Sequence, residues 1–157
     1  MSADLYAVGT AIADKFGDVT GPSGVQGGTL IRGASVGIHS VPVTPYIVVE
    51  LPEGEIETAL AVTPRRSSHD FHVYFLYEKS SGDVPRDTAV MLKWLGPLLT
   101  ALDIGSRLGL SSASGYSVLK SGITSYEPGQ YEVGGQPYHS WHFVVRVSIE
   151  EYNTVTQ

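Results

Sequence analysis

Two stretches of this chain alternate apolar and polar residues strictly enough to dictate their own conformation. Along 69–79, Phe71, Val73, Phe75 and Tyr77 fall on one side, and His72, Tyr74, Leu76 and Glu78 on the other. Along 138–150, Trp141, Phe143, Val145, Val147 and Ile149 alternate with His142, Val144, Arg146, Ser148 and Glu150. A period of two is the period of a β-strand. One apolar side opposite a mostly polar one is the pattern of an antiparallel sheet buried on one face. The rest of the chain must then supply a layer that covers the apolar face.

Two helical patterns can do so. Over 2–16, Leu5, Val8, Ile12 and Phe16 recur at helical spacing among Ala7, Ala11 and Ala13. Ser2 is placed to cap the first turn, Asp4 suits the positive end of the helix dipole, and Gly17 ends the pattern. Over 88–104, Met91, Trp94, Leu95, Leu98, Leu99 and Leu102 form a wide apolar stripe behind Asp87, a good N-cap. Gly96-Pro97 lies inside it and predicts a kink or break, because proline removes a helical hydrogen bond and crowds the preceding turn. Gly105 or Gly109 is expected to close this helix.

Further strands are expected at 46–51 and 116–126. A turn at Pro52-Glu53-Gly54-Glu55 leads to a returning arm over 56–62, and 63–68 reads as a polar loop carrying Arg65 and Arg66. Pro128-Gly129 and Gly134-Gly135 mark turns before the last strand. Residues 17–42 hold seven glycines and two prolines, with Asp18 and Arg32 the only charges. A stretch this long is either a functional arm or conceals short strands. The expected fold class is therefore α+β: a mostly antiparallel four- to five-stranded sheet with two helices packed on one face, and a long glycine-rich arm after the first helix. One domain is expected over 1–157, with 17–42 flexible and 152–157 frayed. The expected core is Leu5, Val8, Ile12, Phe71, Val73, Phe75, Leu95, Leu98, Leu102, Phe143, Val145 and Val147.

Composition narrows the function classes. Sixteen acidic residues against ten basic ones give a formal charge of −6, the opposite of what general phosphate neutralisation requires. There is no cysteine, which rules out disulfides and thiolate chemistry. The chain does not open on a basic–apolar–small signal pattern and holds no run of 18 apolar residues, so neither export by a recognisable signal nor membrane spanning is expected. Only 17% of residues are charged and 18 are glycine, a hint that partners cover part of the surface.

No motif assembles a catalytic set. Gly33-Ala34-Ser35-Val36-Gly37 matches a nucleophile elbow, but that motif needs a helix after the serine, and prolines follow instead. Ser117-Val118-Leu119-Lys120 matches a serine–lysine spacing that works on a helix; on a regular strand, positions three apart face opposite ways. His69 and His72, and likewise His139 and His142, are three apart and face opposite ways on strands. His72 and His142 can meet across strands, but two histidines alone do not make a catalytic zinc site. His39 and these four read as surface or interface residues. Glu53, Glu55, Glu57, Glu150 and Glu151 sit at turns or termini, where solvent keeps carboxylates ionised. No catalytic residue, cofactor or metal is expected.

The order of elements carries a resemblance. A short N-terminal helix precedes a strand Tyr46-Ile47-Val48-Val49-Glu50 and the aromatic strand His69-Asp70-Phe71-His72-Val73-Tyr74-Phe75-Leu76-Tyr77. The leucine-rich helix Met91-Leu92-Lys93-Trp94-Leu95-Gly96-Pro97-Leu98-Leu99-Thr100-Ala101-Leu102 follows. Tyr131-Glu132-Val133-Gly134-Gly135-Gln136-Pro137-Tyr138 then leads into Trp141-His142-Phe143-Val144-Val145-Arg146-Val147. In this order over most of 2–151, the chain resembles the tail terminator, or tail-completion, proteins of long-tailed bacteriophages (siphophages).

The resemblance implies a structural virion protein and no enzyme. It implies a homohexameric ring on the last ring of the tail tube, ending polymerisation and joining the tail to the head connector. Partners would be further copies of the chain, the tail tube protein and the connector protein, with DNA passing through without specific binding. The site would be the neck of the virion, reached from the host cytoplasm during assembly. Exposure and flexibility single out Leu30, Ile31, Arg32, Val36, Ile38, His39, Arg65, Arg66, Tyr131 and Tyr138 as candidate assembly-interface residues. The alternatives are another neck, connector or tail-tube subunit, and more remotely a small hydrolase or metal-binding domain.

Overall fold

The computed structural model describes residues 3–23, 30–40, 42–56, 65–80, 88–102, 107–110 and 115–151. Two helices and six strands are defined there: α1 Leu5–Gly17, β1 Gly33–Val36, β2 Tyr46–Val49, β3 Glu53–Ile56, β4 Arg65–Lys79, α2 Thr88–Leu99, β5 Tyr116–Val133 and β6 Gln136–Glu151. The architecture is α+β around a mixed sheet of order β1-β2-β4-β6-β5, with β3 also pairing β4. The β1–β2 pair is parallel and every other pair is antiparallel.

α1 is capped by Asp4, whose side chain accepts the Ala7 N–H at 3.0 Å; the cap expected at Ser2 lies outside the described residues. Val8, Ile12, Ala13 and Phe16 bury its inner face. In α2, Val90, Met91, Trp94 and Leu98 are buried, and Pro97 lies inside the helix. The helix stops two residues after Pro97. Its last carbonyls are taken up by tighter i−3 bonds, Thr100 N–H to Pro97 O and Ala101 N–H to Leu98 O, both 3.1 Å. The Thr100 hydroxyl also donates to Pro97 O. The expected reach to 104 is therefore shortened. Asp87 and Gly105 lie outside the described residues, and Gly109 takes a positive φ of 68°.

Both helices and one sheet face form one core. Val8, Ile12 and Phe16 meet Phe71, Val73 and Phe75, the α2 residues Met91, Trp94 and Leu98, and Trp141, Phe143, Val145, Val147 and Ile149. The Trp141 indole N–H donates to the Met91 carbonyl at 2.8 Å, pinning β6 to α2. Ten of the twelve expected core residues are buried; Leu5 and Leu95 are partly buried against the cluster. A second, smaller cluster lies on the other face: Val48, Leu76, Val133 and Tyr138, flanked by Ile38, Tyr46, Tyr74 and Tyr131. Leu76 breaks the polar alternation of 69–79 because this cluster covers it.

Several boundaries differ from the sequence expectations. The 63–68 loop is, from Arg65 on, the start of β4: Arg65 and Arg66 pair opposite Glu151 and Glu150, and their opposite charges hold the strand ends together. Pro52-Glu53-Gly54-Glu55 is not a turn, since Glu53–Ile56 is β3. β2 and β3 lie in tandem along β4, and the register steps by one between Val49↔Val73 and Glu53↔Asp70. Pro52 falls in that step, where its missing N–H costs no ladder bond. Of the returning arm expected over 56–62, all beyond Ile56 lies outside the described residues. Pro128-Gly129 is also not a turn. Both residues run through β5 opposite Trp141 and Ser140, and proline is tolerated there because β5 is an edge strand. The turn at Gly134-Gly135 is present, with φ of 56° and 83°, the left-handed pair that a two-residue hairpin requires.

The stretch 17–42 is largely docked where it is described. Gly33–Val36 is a strand of the sheet, Thr20 bridges Leu30, and Ile31, Ala34 and Val36 pack on the core. The sheet consequently has six strands where four or five were expected, β1 and β3 having been read as arm and turn.

Candidate functional site

Among the described residues, the outward face of the sheet carries a connected polar row. On β4 the even-numbered residues face outward, and on β6 His142, Val144, Arg146 and Ser148 do so. Tyr74 lies directly opposite His142, which leaves His72 diagonal to it. The right-handed strand twist brings such diagonal neighbours within reach of ring side chains. His72 Nδ1 lies 2.8 Å from His142 Nε2, and the rings stack at 5.0 Å. The outer nitrogens meet carboxylates: His72 Nε2 is 3.2 Å from Glu53 Oε1 on β3, and His142 Nδ1 is 3.0 Å from Glu127 Oε1 on β5. One hydrogen-bonded row therefore crosses β3, β4, β6 and β5.

Its surroundings are built from the same strands. Tyr74 stacks flat on His142 at 4.5 Å and tilts against Tyr131 at 4.6 Å. The Tyr131 hydroxyl donates to Glu50. Burial, with Glu50 and Glu127 nearby, pushes the Tyr74 phenol up. One step along the face, Arg146 holds Asp70 with two bonds of 2.9 and 3.2 Å. The hydrogen bond from Arg146 is the main reason the Asp70 carboxyl sits below the usual carboxylate range, with His72 and His69 adding to it.

The remaining sequence motifs resolve differently. Ser35 lies on β1, donates to the Gly37 carbonyl at 2.6 Å and accepts from Tyr46 at 2.8 Å, and no helix follows it within the described residues 37–40. Ser117 and Lys120 are not on opposite faces. A register shift between Val118 and Lys120 sets them opposite Glu150 and Ser148, on the same outward face. His139 is buried and so is no surface histidine. Ser67 Oγ lies 2.9 Å from His69 Nε2, a serine–histidine contact the sequence reading missed. Ser67 is only 4% exposed, so a substrate has no access to it and the bond satisfies a buried hydroxyl. Burial is the first cause that lowers the His69 pKa, opposed by Glu151 and assisted by Arg65. Among the described residues, no group of three or more histidine or acidic side chains is arranged to hold a metal ion.

The ten candidate interface residues do not form one patch. Ile38, Tyr131 and Tyr138 gather at the second apolar cluster, and Ile31 and Val36 pack on the main core. Tyr138 is 0% exposed and is corrected to a core residue: the hairpin end and Ile38 cover it. Leu30 is exposed on the β1 side, His39 is exposed just beyond β1, and the Arg32 N–H donates to the Pro45 carbonyl. Arg65 and Arg66 lie at the far end of β4, roughly 45 Å from Lys79 at about 3.3 Å per residue. Their guanidinium groups are engaged by Glu151 and Glu150.

The sheet also ends in two different edges. Among the described residues, no strand pairs with the outer side of β5, and β1 and β3 border the other side. Most large exposed apolar residues divide between these edges. Leu30, Val43, Leu51 and Ile56 lie on the β1–β3 side, and Tyr126 with Leu99 on the β5 side, while Tyr6 and Leu92 stand on the helices.

Neither models of known protein families nor characterised proteins match this chain.

Proposed function

We propose that this chain is a structural ring subunit at the head-proximal end of a phage tail tube, where it ends tail polymerisation and joins the tail to the head connector. The observation that carries the reading is the order of elements. An N-terminal helix, a sheet, a second helix and a long closing hairpin follow one another as in the tail terminator family that the sequence resembles. Two unlike sheet edges, each bearing exposed apolar residues, support it. A ring closes through heterologous contacts, one surface of each subunit meeting a different surface of the next, and unlike edges are suited to that. The partners in this reading are further copies of the chain in a hexamer, the tail tube protein and the connector protein. Net negative charge suits a channel through which DNA passes without capture. The alternative of a tube subunit rested on a long free arm. Gly33–Val36 of that stretch is bound in the chain's own sheet, which favours the terminator reading.

Negative-stain imaging of virions labelled on this chain tests the assignment. The reading expects label confined to the head–tail junction. Label along the whole tube would make the chain a tube subunit, and absence of label from virions would remove the reading.

A further inference from the structure

We propose that Glu53, His72, His142 and Glu127 form a one-proton clasp across four strands, fully bonded only when the two histidines share a single extra proton. The two outer nitrogens face carboxylate oxygens, and an ionised carboxylate only accepts, so each outer nitrogen must carry hydrogen. The two inner nitrogens face each other at 2.8 Å, so only one of them can carry hydrogen. The complete row therefore needs three N–H groups on two rings. Two neutral imidazoles supply two, and one imidazolium beside one neutral imidazole supplies three.

Each other protonation state breaks a bond. With both rings neutral, either one carboxylate faces a bare nitrogen lone pair or the two inner nitrogens face each other with no hydrogen between them. With both rings charged, two N–H groups point at each other, and the 2.8 Å contact between β4 and β6 must open. The row thus joins β3 to β4, β4 to β6 and β6 to β5 at one proton count and loosens on either side of it. Among the described residues, the ionisable groups around it are Glu50 from the β2–β3 link, Glu53 and Glu55 on β3, Asp70 and Tyr74 on β4, Arg146 on β6, and Glu127 and Tyr131 on β5. Arg146 is engaged by Asp70, which leaves the shared imidazolium as the positive partner of Glu53 and Glu127. A metal is not the better occupant of the inner gap. Two bonds of about 2.0–2.1 Å to one zinc ion hold tetrahedral ligands farther apart than the inner nitrogens are. No third ligand joins them among the described residues.

The test is a titration of the full chain by long-range ¹H–¹⁵N imidazole NMR, which reports the protonation of each ring nitrogen. The clasp expects the pair to bind protons in two steps separated by more than about one pH unit, as strongly interacting sites do. Between the steps, three ring nitrogens carry hydrogen. Backbone amide signals of β4 and β6 around the pair should shift with the more acidic step, where the inner contact opens. In His142→Gln the His72 ring should titrate in a single step. Glu127→Gln, at a carboxylate whose side chain is 70% exposed, should keep the fold and move proton binding by the pair to lower pH. Two rings titrating together in one step in the unmodified protein would overturn the proposal. So would a His72 titration unchanged by His142→Gln, or four hydrogen-bearing ring nitrogens at the mid-pH plateau.

Discussion

Replacing Gly21 with alanine tests whether the glycine-rich stretch after α1 is docked on the second helix. A Cβ at Gly21 would fall 2.2, 2.4 and 2.5 Å from three ring carbons of Trp94, far inside ordinary contact distance. Gly21 has no left-handed backbone angle, so the cost comes from space alone. Trp94 is 0% exposed and packs against Phe75 at 5.0 Å, so its ring has no free volume into which to swing. Forced overpacking of this kind costs about 1–3 kcal/mol, and the fully enclosed ring places Gly21→Ala toward the upper end. Urea unfolding followed by circular dichroism should show a lower midpoint with unchanged slope, and the folded-state tryptophan emission should shift. A midpoint and emission equal to those of the unmodified protein would show that residues near Gly21 do not lie on Trp94, and the docking of this stretch would have to be abandoned.

Gly96→Ala should act in the opposite direction: it is exposed in α2 with nothing within 4 Å of a new Cβ, and alanine should add about 0.5–1 kcal/mol in the same urea assay. Tyr138→Phe removes a buried hydroxyl that has no hydrogen-bond partner among the described residues, so the variant should be at least as stable as the parent, by up to about 1–3 kcal/mol, with assembly unchanged. A loss of assembly in Tyr138→Phe with the fold intact would restore Tyr138 to the interface. Acid should destabilise in two stages. The folded pKa of His69 lies below its ordinary 6.5, so the unfolded chain binds that proton first and stability falls as pH drops below about 6.5. The folded pKa of Asp70 lies below its ordinary 3.8, so its contribution is present above that value and is lost as pH falls through the folded pKa. Urea midpoints measured against pH should show both stages, and His69→Gln should diminish the first while weakening the second only slightly, since His69 also helps hold the Asp70 carboxyl down.

The long strands and both helices were legible because their periodicity is strong: Phe71 to Phe75 and Trp141 to Ile149 face the core as the alternation requires. β1 and β3 were not. Four residues such as Gly33–Val36 or Glu53–Ile56 give no alternation to read, and their glycines, glutamates and neighbouring Pro52 have the composition of turns. Only pairing to long neighbours makes them strands. The same limit hid the outward polar row. Its residues are individually ordinary, and what joins Glu53, His72, His142 and Glu127 is the register of three strand pairs, including the diagonal offset between β4 and β6. Register shifts at Leu119 and Thr124 also defeated simple parity, which is why Ser117 and Lys120 share a face. Tyr138 was misplaced for a related reason: a second cluster on the outward face does not follow from an alternation that assumes one buried side.

The ring assignment is tested most directly by the native mass of the purified chain across a wide concentration range. The account predicts one discrete closed oligomer, a hexamer, that adds no further subunits as concentration rises. A chain that stays monomeric at every concentration and does not bind tail tubes would contradict it.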